Sequence, residues 1–407
     1  MRNSLLFALS LLFSLFSCSD NAIVYDFPPN AYPIEKGDSA DRTMLVYIMA
    51  ENSLGHYAAS DIEEIKRGVR SLPSDCRVFA FIDDCGMPRI EQYVPDKDGL
   101  VNTLTVKEYD GDFCSSSAEE LAGVLEFIFE FYPTKSLDLV LWSHADGWLR
   151  GSNDSPQRSI GIDNGRNVVY SDVSTGVIEV EELAEVLETL PLKVERLMFD
   201  ACLMQCVEVA YALRNSAEYI IASPAEIPAK GAPYDLIVPL FFNGESSASD
   251  IIEAYKVDYD NESAGVVLSV VSTAAMQKLA DVTRILVNKY FHVEKRRSYI
   301  DVFSYVPGGR RTLNKVYPCY FDMNAVMKKY LSHEDYAVWY DAFAAAVPYL
   351  SASDKWYSSY VYNICSVKHD VCGGLSIYMP QETNAELNSD FSATSWYLAA
   401  GWDVAGW

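Results

Sequence analysis

The chain has 407 residues, of which 50% are hydrophobic and 22% charged, a composition that suits one large or two ordinary packed cores and excludes wholesale disorder. Its formal net charge of −25 at pH 7 makes the surface repel phosphate backbones and anionic head groups, which excludes nucleic acid as a partner.

The first residues, MRNSLLFALSLLFSLFSCSD, place one Arg before an apolar run that is too short to span a bilayer, followed by Leu15-Phe16-Ser17-Cys18. This resembles a bacterial lipoprotein signal peptide. The resemblance implies removal of residues 1–17, lipidation of Cys18 as the first residue of the mature chain, and an exported protein anchored in a membrane of the cell envelope, the outer membrane being expected. Residues 18–41, with Pro28, Pro29 and Pro33 and no periodic pattern, read as a tether.

A β/α alternation follows. TMLVYIMA (43–50) reads as a buried strand, ASDIEEIKRGV as a helix, VFAFID (78–83) as a second strand and NTLTVKEY (102–109) as a more exposed one. A helix over 117–132 leads into strand LDLVLWS (137–143). The polar stretch from Gly151 to Gly176 carries hairpin-like pieces, and EVEELAEVLETL (179–190) has helical spacing. Strand ERLMF (195–199), a helix over 202–214 and strand EYIIAS (218–223) complete the series. Beyond about 245 the pattern turns to helices at 247–256, 273–290, 323–331 and 333–346, with GGLSIYM (373–379) as a strand. The expected fold class is α/β, with a mostly parallel sheet covered on both faces.

In such sheets functional groups gather beyond the carboxyl ends of the strands, where both His144 and Asp200-Ala201-Cys202 fall. If the two strands are neighbours, a thiol and an imidazole converge. Cys202 is expected to open a helix, whose dipole and free N–H groups would lower the thiol pKa. His144 would protonate the leaving amine and then activate water against a thioester. The backbone N–H groups of Ala145 and Cys202 would hold the oxyanion. Cys206 fits the apolar core, and His56, His292, His333 and His369 lack a comparable setting. The cysteines other than Cys18 are irregularly spaced; Cys365 with Cys372 or Cys76 with Cys85 could pair. No CxxC or His-x-x-x-His spacing marks a metal site, and no cofactor is required.

The segments TMLVYIMAENSLGHYAASDIEEI, LDLVLWSHADGW, SIGIDNGRN, FDACLMQCVEVAYALRNSAEYIIAS, PAEIPAKGAPYD and GGLSIYMP occur in an order and spacing that resemble the clostripain family of cysteine peptidases. The resemblance spans roughly residues 42–402. It implies a caspase-like three-layer sandwich with a helix-rich C-terminal region: a peptidase core over 42–245, and 246–407 completing the fold. It further implies His144 and Cys202 as a dyad, and protein or peptide substrates.

Three departures from that pattern bear on function. The family's His-Gly-x-Gly reads His144-Ala145-Asp146-Gly147, which keeps the N–H at 145 but not glycine's freedom at positive φ. Members often cut themselves after a basic residue between the dyad positions, for which Arg158 is the foremost candidate, ahead of Arg150 and Arg166. A basic P1 side chain is gripped in the family by an Asp matching Asp200 and by a second acid, where this chain has Lys230. The alternative role for Asp200 is as an acceptor for the first turn of the following helix, and Lys230 either repels a basic P1 residue or pairs with Asp200. Weak cleavage after Arg or Lys is expected in either case. Some members respond to Ca2+, which loop acids such as Asp163 and Asp172 could bind, although nothing in their spacing demands it. The alternative function is a catalytically weak relative that binds peptides or a partner protein in the same cleft.

Overall fold

A computed structural model describes residues 37–407, apart from 112, 150–158, 166–175, 245–246, 260–261, 263, 296, 308–309, 313–314 and 318. Strand β1 (Arg42–Met49) is buried on both faces, as its unbroken apolar run requires. The other strands that matter here are β2 (Cys76–Asp83), β3 (Arg89–Pro95), β4 (Val101–Glu108), β5 (Leu137–Trp142), β6 (Ile160–Asp163), β7 (Gly176–Ile178), β8 (Val194–Asp200), β9 (Ala217–Ala222) and β10 (Val267–Ser272).

Among the described residues the main sheet has nine strands, in the order Tyr349–Ala352, β10, β9, β8, β5, β1, β2, β3, β4. The five central strands run parallel. Two antiparallel strands flank them on each side. β3, β10 and Tyr349–Ala352 are additions to the sequence reading. The sheet therefore runs across residue 245, and the C-terminal region supplies one of its edges. Conversely, GGLSIYM holds only a two-residue strand, Ser376–Ile377, because its backbone turns aside to meet the loop after β8.

Side-chain alternation sorts the core into two layers. Leu45, Tyr47, Met49, Leu139, Leu141, Leu197 and Phe199 face α2 (Ala118–Phe131) and α3 (Val180–Glu188). Met44, Val46, Ile48, Val140, Trp142 and Met198 face α1 (Gly55–Gly68), α5 (Tyr234–Phe242) and α6 (Ala248–Tyr259). Each such apolar side chain contributes about 1.5–3 kcal/mol on burial. Helices on both sides of a mostly parallel sheet make this a three-layer α/β sandwich of the caspase-like kind, as expected.

Candidate active site

β5 and β8 are parallel neighbours, with Trp142 paired to Asp200. His144 and Cys202 therefore each lie two residues beyond the last pair of adjoining strands, on the same carboxyl edge.

The segment after β5 is fixed by backbone bonds. Gly161 N–H donates to the His144 carbonyl at 3.0 Å, and Asp146 N–H donates to Ser159 at 3.3 Å. Neither bond uses the Ala145 N–H. Ala145 has no positive φ, so the glycine freedom lost at 145 is not called upon. Gly147 is different: its φ is +65°, and a Cβ there would sit 2.7 Å from the Leu203 carbonyl oxygen. The two loops thus interlock. On the other side of His144, Nε2 shares a 2.9 Å hydrogen bond with Ser53 Oγ, from the turn after β1.

The segment after β8 departs from the sequence reading. Helix α4 spans Val207–Ala212, so Cys202 stands five residues before it in a turn. Leu203 takes a left-handed φ of +63°, a strained conformation for a branched residue. The backbone donors that would start a helix are engaged elsewhere: Leu203 N–H bonds Ala225 and Gln205 N–H bonds Ser223, both at 3.0 Å. Tertiary pairing here overrides helix propensity. A consequence is that no helix terminus lowers the thiol pKa. Burial pushes Cys202 up to about 12, and the nearby charges of Glu226, Asp146 and Asp200 act in the same direction. Opposing them is the Ile227 N–H, which points at Sγ from 3.4 Å.

The C-terminal region holds both loops. Tyr360 donates to Asp146 Oδ1 at 2.7 Å, and the Tyr320 hydroxyl donates to the Asp146 carbonyl. Ser359 N–H lies 3.0 Å from both oxygens of Glu226, beside the thiol. Gln205 Nε2 donates to the Ser269 carbonyl on β10 at 2.7 Å. Ser53, Asp146 and Glu226 lie in segments that carry the resemblance but are not assigned a role at the site, and Tyr320 and Tyr360 lie in none of those segments.

Asp200 points into the layer beneath the sheet. Its oxygens accept the Ala232 N–H at 3.0 Å, Tyr234 Oη at 2.9 Å and Tyr255 Oη at 3.0 Å. It does not cap the next helix. Burial raises its pKa, and the three donors pull in the opposite direction without cancelling that rise. Asp61 lies alongside, bonded by Trp142 Nε1 at 2.8 Å and pushed up to about 8 by burial and by Asp200. Lys230 does not pair with Asp200. Its ammonium meets Asp258 and lies over the Tyr259 ring, 5.2 Å from the centroid.

Cys206 is fully buried, as its core assignment requires. Cys76, Cys85, Cys365 and Cys372 are all free thiols, so neither pairing considered from sequence forms. Arg158, Arg150, Arg166, Asp172 and Cys18 lie outside the described residues. Asp163 ends β6 and gathers with Glu51 and Asp83 into a buried acidic group. Among the described residues no helix is long and apolar enough to cross a membrane.

The clostripain family model matches residues 46–407. Clostripain of Hathewaya histolytica is 25% identical over 221 residues, covering 48% of this chain; the match spans 41% of clostripain's own length. A solved structure described as an inactive zymogen C11 protease from Parabacteroides distasonis is similar at 27% identity and a TM-score of 0.76, covering 89% of this chain and 99% of that one. A secreted C11 cysteine protease from Bacteroides thetaiotaomicron, solved with an irreversible peptide inhibitor, is 29% identical with a TM-score of 0.76, covering 90% and 100%.

Proposed function

The chain belongs to the clostripain family, and from that premise we propose that it is an exported cysteine endopeptidase with Cys202 as nucleophile and His144 as general acid–base. The observation that carries this reading is the pairing of Trp142 with Asp200, which brings the two residues to one sheet edge.

In this reaction Cys202 Sγ attacks the scissile carbonyl carbon while its proton passes to His144. The oxyanion accepts the N–H groups of Ala145 and Cys202, each such donor being worth about 3 kcal/mol. His144 returns the proton to the departing amine, leaving an acyl thioester. Water then attacks with His144 as base, and the tetrahedral species collapses to a carboxylic acid and the free thiol. Burial raises the Cys202 thiol, which makes transfer of its proton to His144 part of the attack. Ser53 orients the imidazole.

A P1 preference other than Arg or Lys follows from the surroundings of Asp200. Its lone pairs are committed to two tyrosines and a backbone N–H, and the side chain is buried. The charge of Lys230 is met by Asp258. Neither of these two positions thereby offers an acid to grip a P1 cation, and self-cleavage at Arg158 is expected to be slight. Export with a lipid on Cys18 rests on the signal-peptide resemblance ending in Leu15-Phe16-Ser17-Cys18; fatty-acid labelling of cells, lost in Cys18→Ser, tests it.

The raised pKa of the half-buried thiol favours a second reading, a weak relative that binds peptides in the same cleft. An acyloxymethyl ketone peptide separates the two: covalent labelling at Cys202 that is lost in Cys202→Ala supports the peptidase, and reversible binding without labelling supports the alternative.

A further inference from the structure

The C-terminal region carries a cavity that the hydrolytic steps do not use. Its volume is about 1000 Å³, and it lies between the 297–307 segment and a two-stranded hairpin, Lys355–Ser358 paired with Asn363–Ser366. That is the upper end of the roughly 300–1,000 Å³ usual for ligand sites. Its walls are aromatic: Phe303 meets Trp356 edge-on with ring centroids 6.0 Å apart, and Tyr299 meets Phe321 at 5.4 Å. Trp356 is 1% exposed, and its indole N–H has no acceptor among the described residues. A buried donor left without an acceptor is costly, and an oxygen brought by a ligand would relieve it.

The charges bordering the cavity favour an anion. Arg297 donates to the Tyr290 carbonyl at 3.1 Å and lies over the Tyr330 ring, whereas the Lys368 ammonium is exposed and has no hydrogen bond or ion pair among the described residues. Against these two cations Asp301 is the single carboxylate in the described lining. In a chain of net charge −25 this is a locally positive groove.

The same hairpin reaches the dyad. At its turn the Ser359 N–H bonds Glu226, one residue before the Ile227 whose N–H points at Cys202 Sγ, and Tyr360 bonds Asp146, two residues after His144. Trp356 stands three residues before Ser359, about 10 Å along a strand that rises about 3.4 Å per residue. An extended peptide rises by the same step, so a side chain about three to five residues from the scissile bond reaches the cavity.

We propose that this cavity is an outlying subsite for a peptide substrate, taking an apolar, preferably aromatic, side chain whose acidic neighbour meets Lys368. Ring packs on ring, a peptide carbonyl satisfies the Trp356 N–H, and a carboxylate answers the free ammonium. The register of the subsite rests on the peptidase reading; binding of such a peptide does not require the dyad to react.

The test uses the full chain. Fluorescein-labelled peptides carry Phe-Glu, Phe-Lys or Gly-Ser at successive distances to either side of the best-cleaved bond from a peptide library, or of the centre of an Ala/Ser peptide if none is cleaved. Anisotropy is read on Cys202→Ala, and kcat and KM on the wild type. Phe-Glu about three to five residues out should lower Kd and KM about fivefold relative to Gly-Ser at unchanged kcat. Lys368→Glu, an exposed change, should reverse the order of Phe-Glu and Phe-Lys. Affinity indifferent to the flanking pair at every placement, or an unchanged order in Lys368→Glu, overturns the subsite. Hydrolysis with KM blind to the pair also overturns it and leaves the peptidase reading standing. Preferential binding of Phe-Glu without hydrolysis supports the subsite and counts against the peptidase reading alone.

Discussion

Asp200→Ala separates a structural carboxylate from a substrate ligand. The substitution removes the acceptor of three hydrogen bonds and leaves the hydroxyls of Tyr234 and Tyr255 and the Ala232 N–H buried. Each stranded donor costs about 1–3 kcal/mol, and both tyrosines are at most 1% exposed, so neither can turn to water. Part of that loss is offset, because burial already disfavours the charged form of Asp200. The net expectation is a loss of about 3 kcal/mol. Asp200→Asn keeps one acceptor oxygen, and a tyrosine hydroxyl can reverse to accept from its amide, so about 1 kcal/mol is expected. Urea unfolding followed by tryptophan fluorescence measures both, with kcat/KM for Arg, Lys, Ala, Leu, Asp and Asn fluorogenic peptides alongside. The reasoning is refuted if Asp200→Asn unfolds at the wild-type urea concentration while its Arg-to-Ala selectivity changes more than tenfold. That pattern would make Asp200 a P1 ligand.

Cys202→Ala and His144→Ala should each abolish hydrolysis with Tm within a few degrees of wild type, whereas Cys206→Ala, a core change, should keep activity and lose about 1 kcal/mol of stability; an inactive Cys206 variant beside an active Cys202 variant would reverse the assignment. Ser53→Ala should lower kcat about tenfold at unchanged KM and shift the pH–rate profile, with Ser53→Thr restoring both; a wild-type profile in the alanine variant would remove Ser53 from the mechanism. Glu208, fully enclosed and accepting the Tyr378 N–H, is pushed up to about 7 by burial from a usual value near 4.5. Between those values the folded protein keeps a proton that the unfolded chain has released, so stability should fall by about 3 kcal/mol as pH rises from 4.5 to 7. Glu208→Gln should flatten that slope, and Tm measured from pH 4.5 to 8 checks it.

The β/α alternation is legible because apolar runs such as 43–50 and 137–143 are long, unbroken and bounded by polar loops, and a run of that kind is stable only as a strand covered on both faces. His144 and Cys202 stand out for the same reason, since each follows such a run, and resemblance sharpened the choice. What lies after Cys202 was not legible. VEVAYALRN has helical spacing, and nothing local stops the helix from reaching back to 202. It stops because Ala225, Ser223 and Ser376 claim the backbone of Leu203 and Gln205, and those partners lie from 18 to 171 residues away. Strands β10 and Tyr349–Ala352 were hidden similarly, being short pieces whose character comes from pairing with β9 and with each other. Charge environments are equally non-local. Sequence placed Cys202 at a helix N-terminus with a lowered pKa, whereas the tertiary structure encloses it beside Glu226 and Asp146 and raises it. Lys230, one residue from Gly231 over the Asp200 carboxylate, turns to Asp258 on α6, and only the packing of that helix decides where its charge goes. Patterning along the chain fixes which segments are strands and which ends carry chemistry, because burial acts on local runs; the protonation and grip of a site are set by what the fold brings against it.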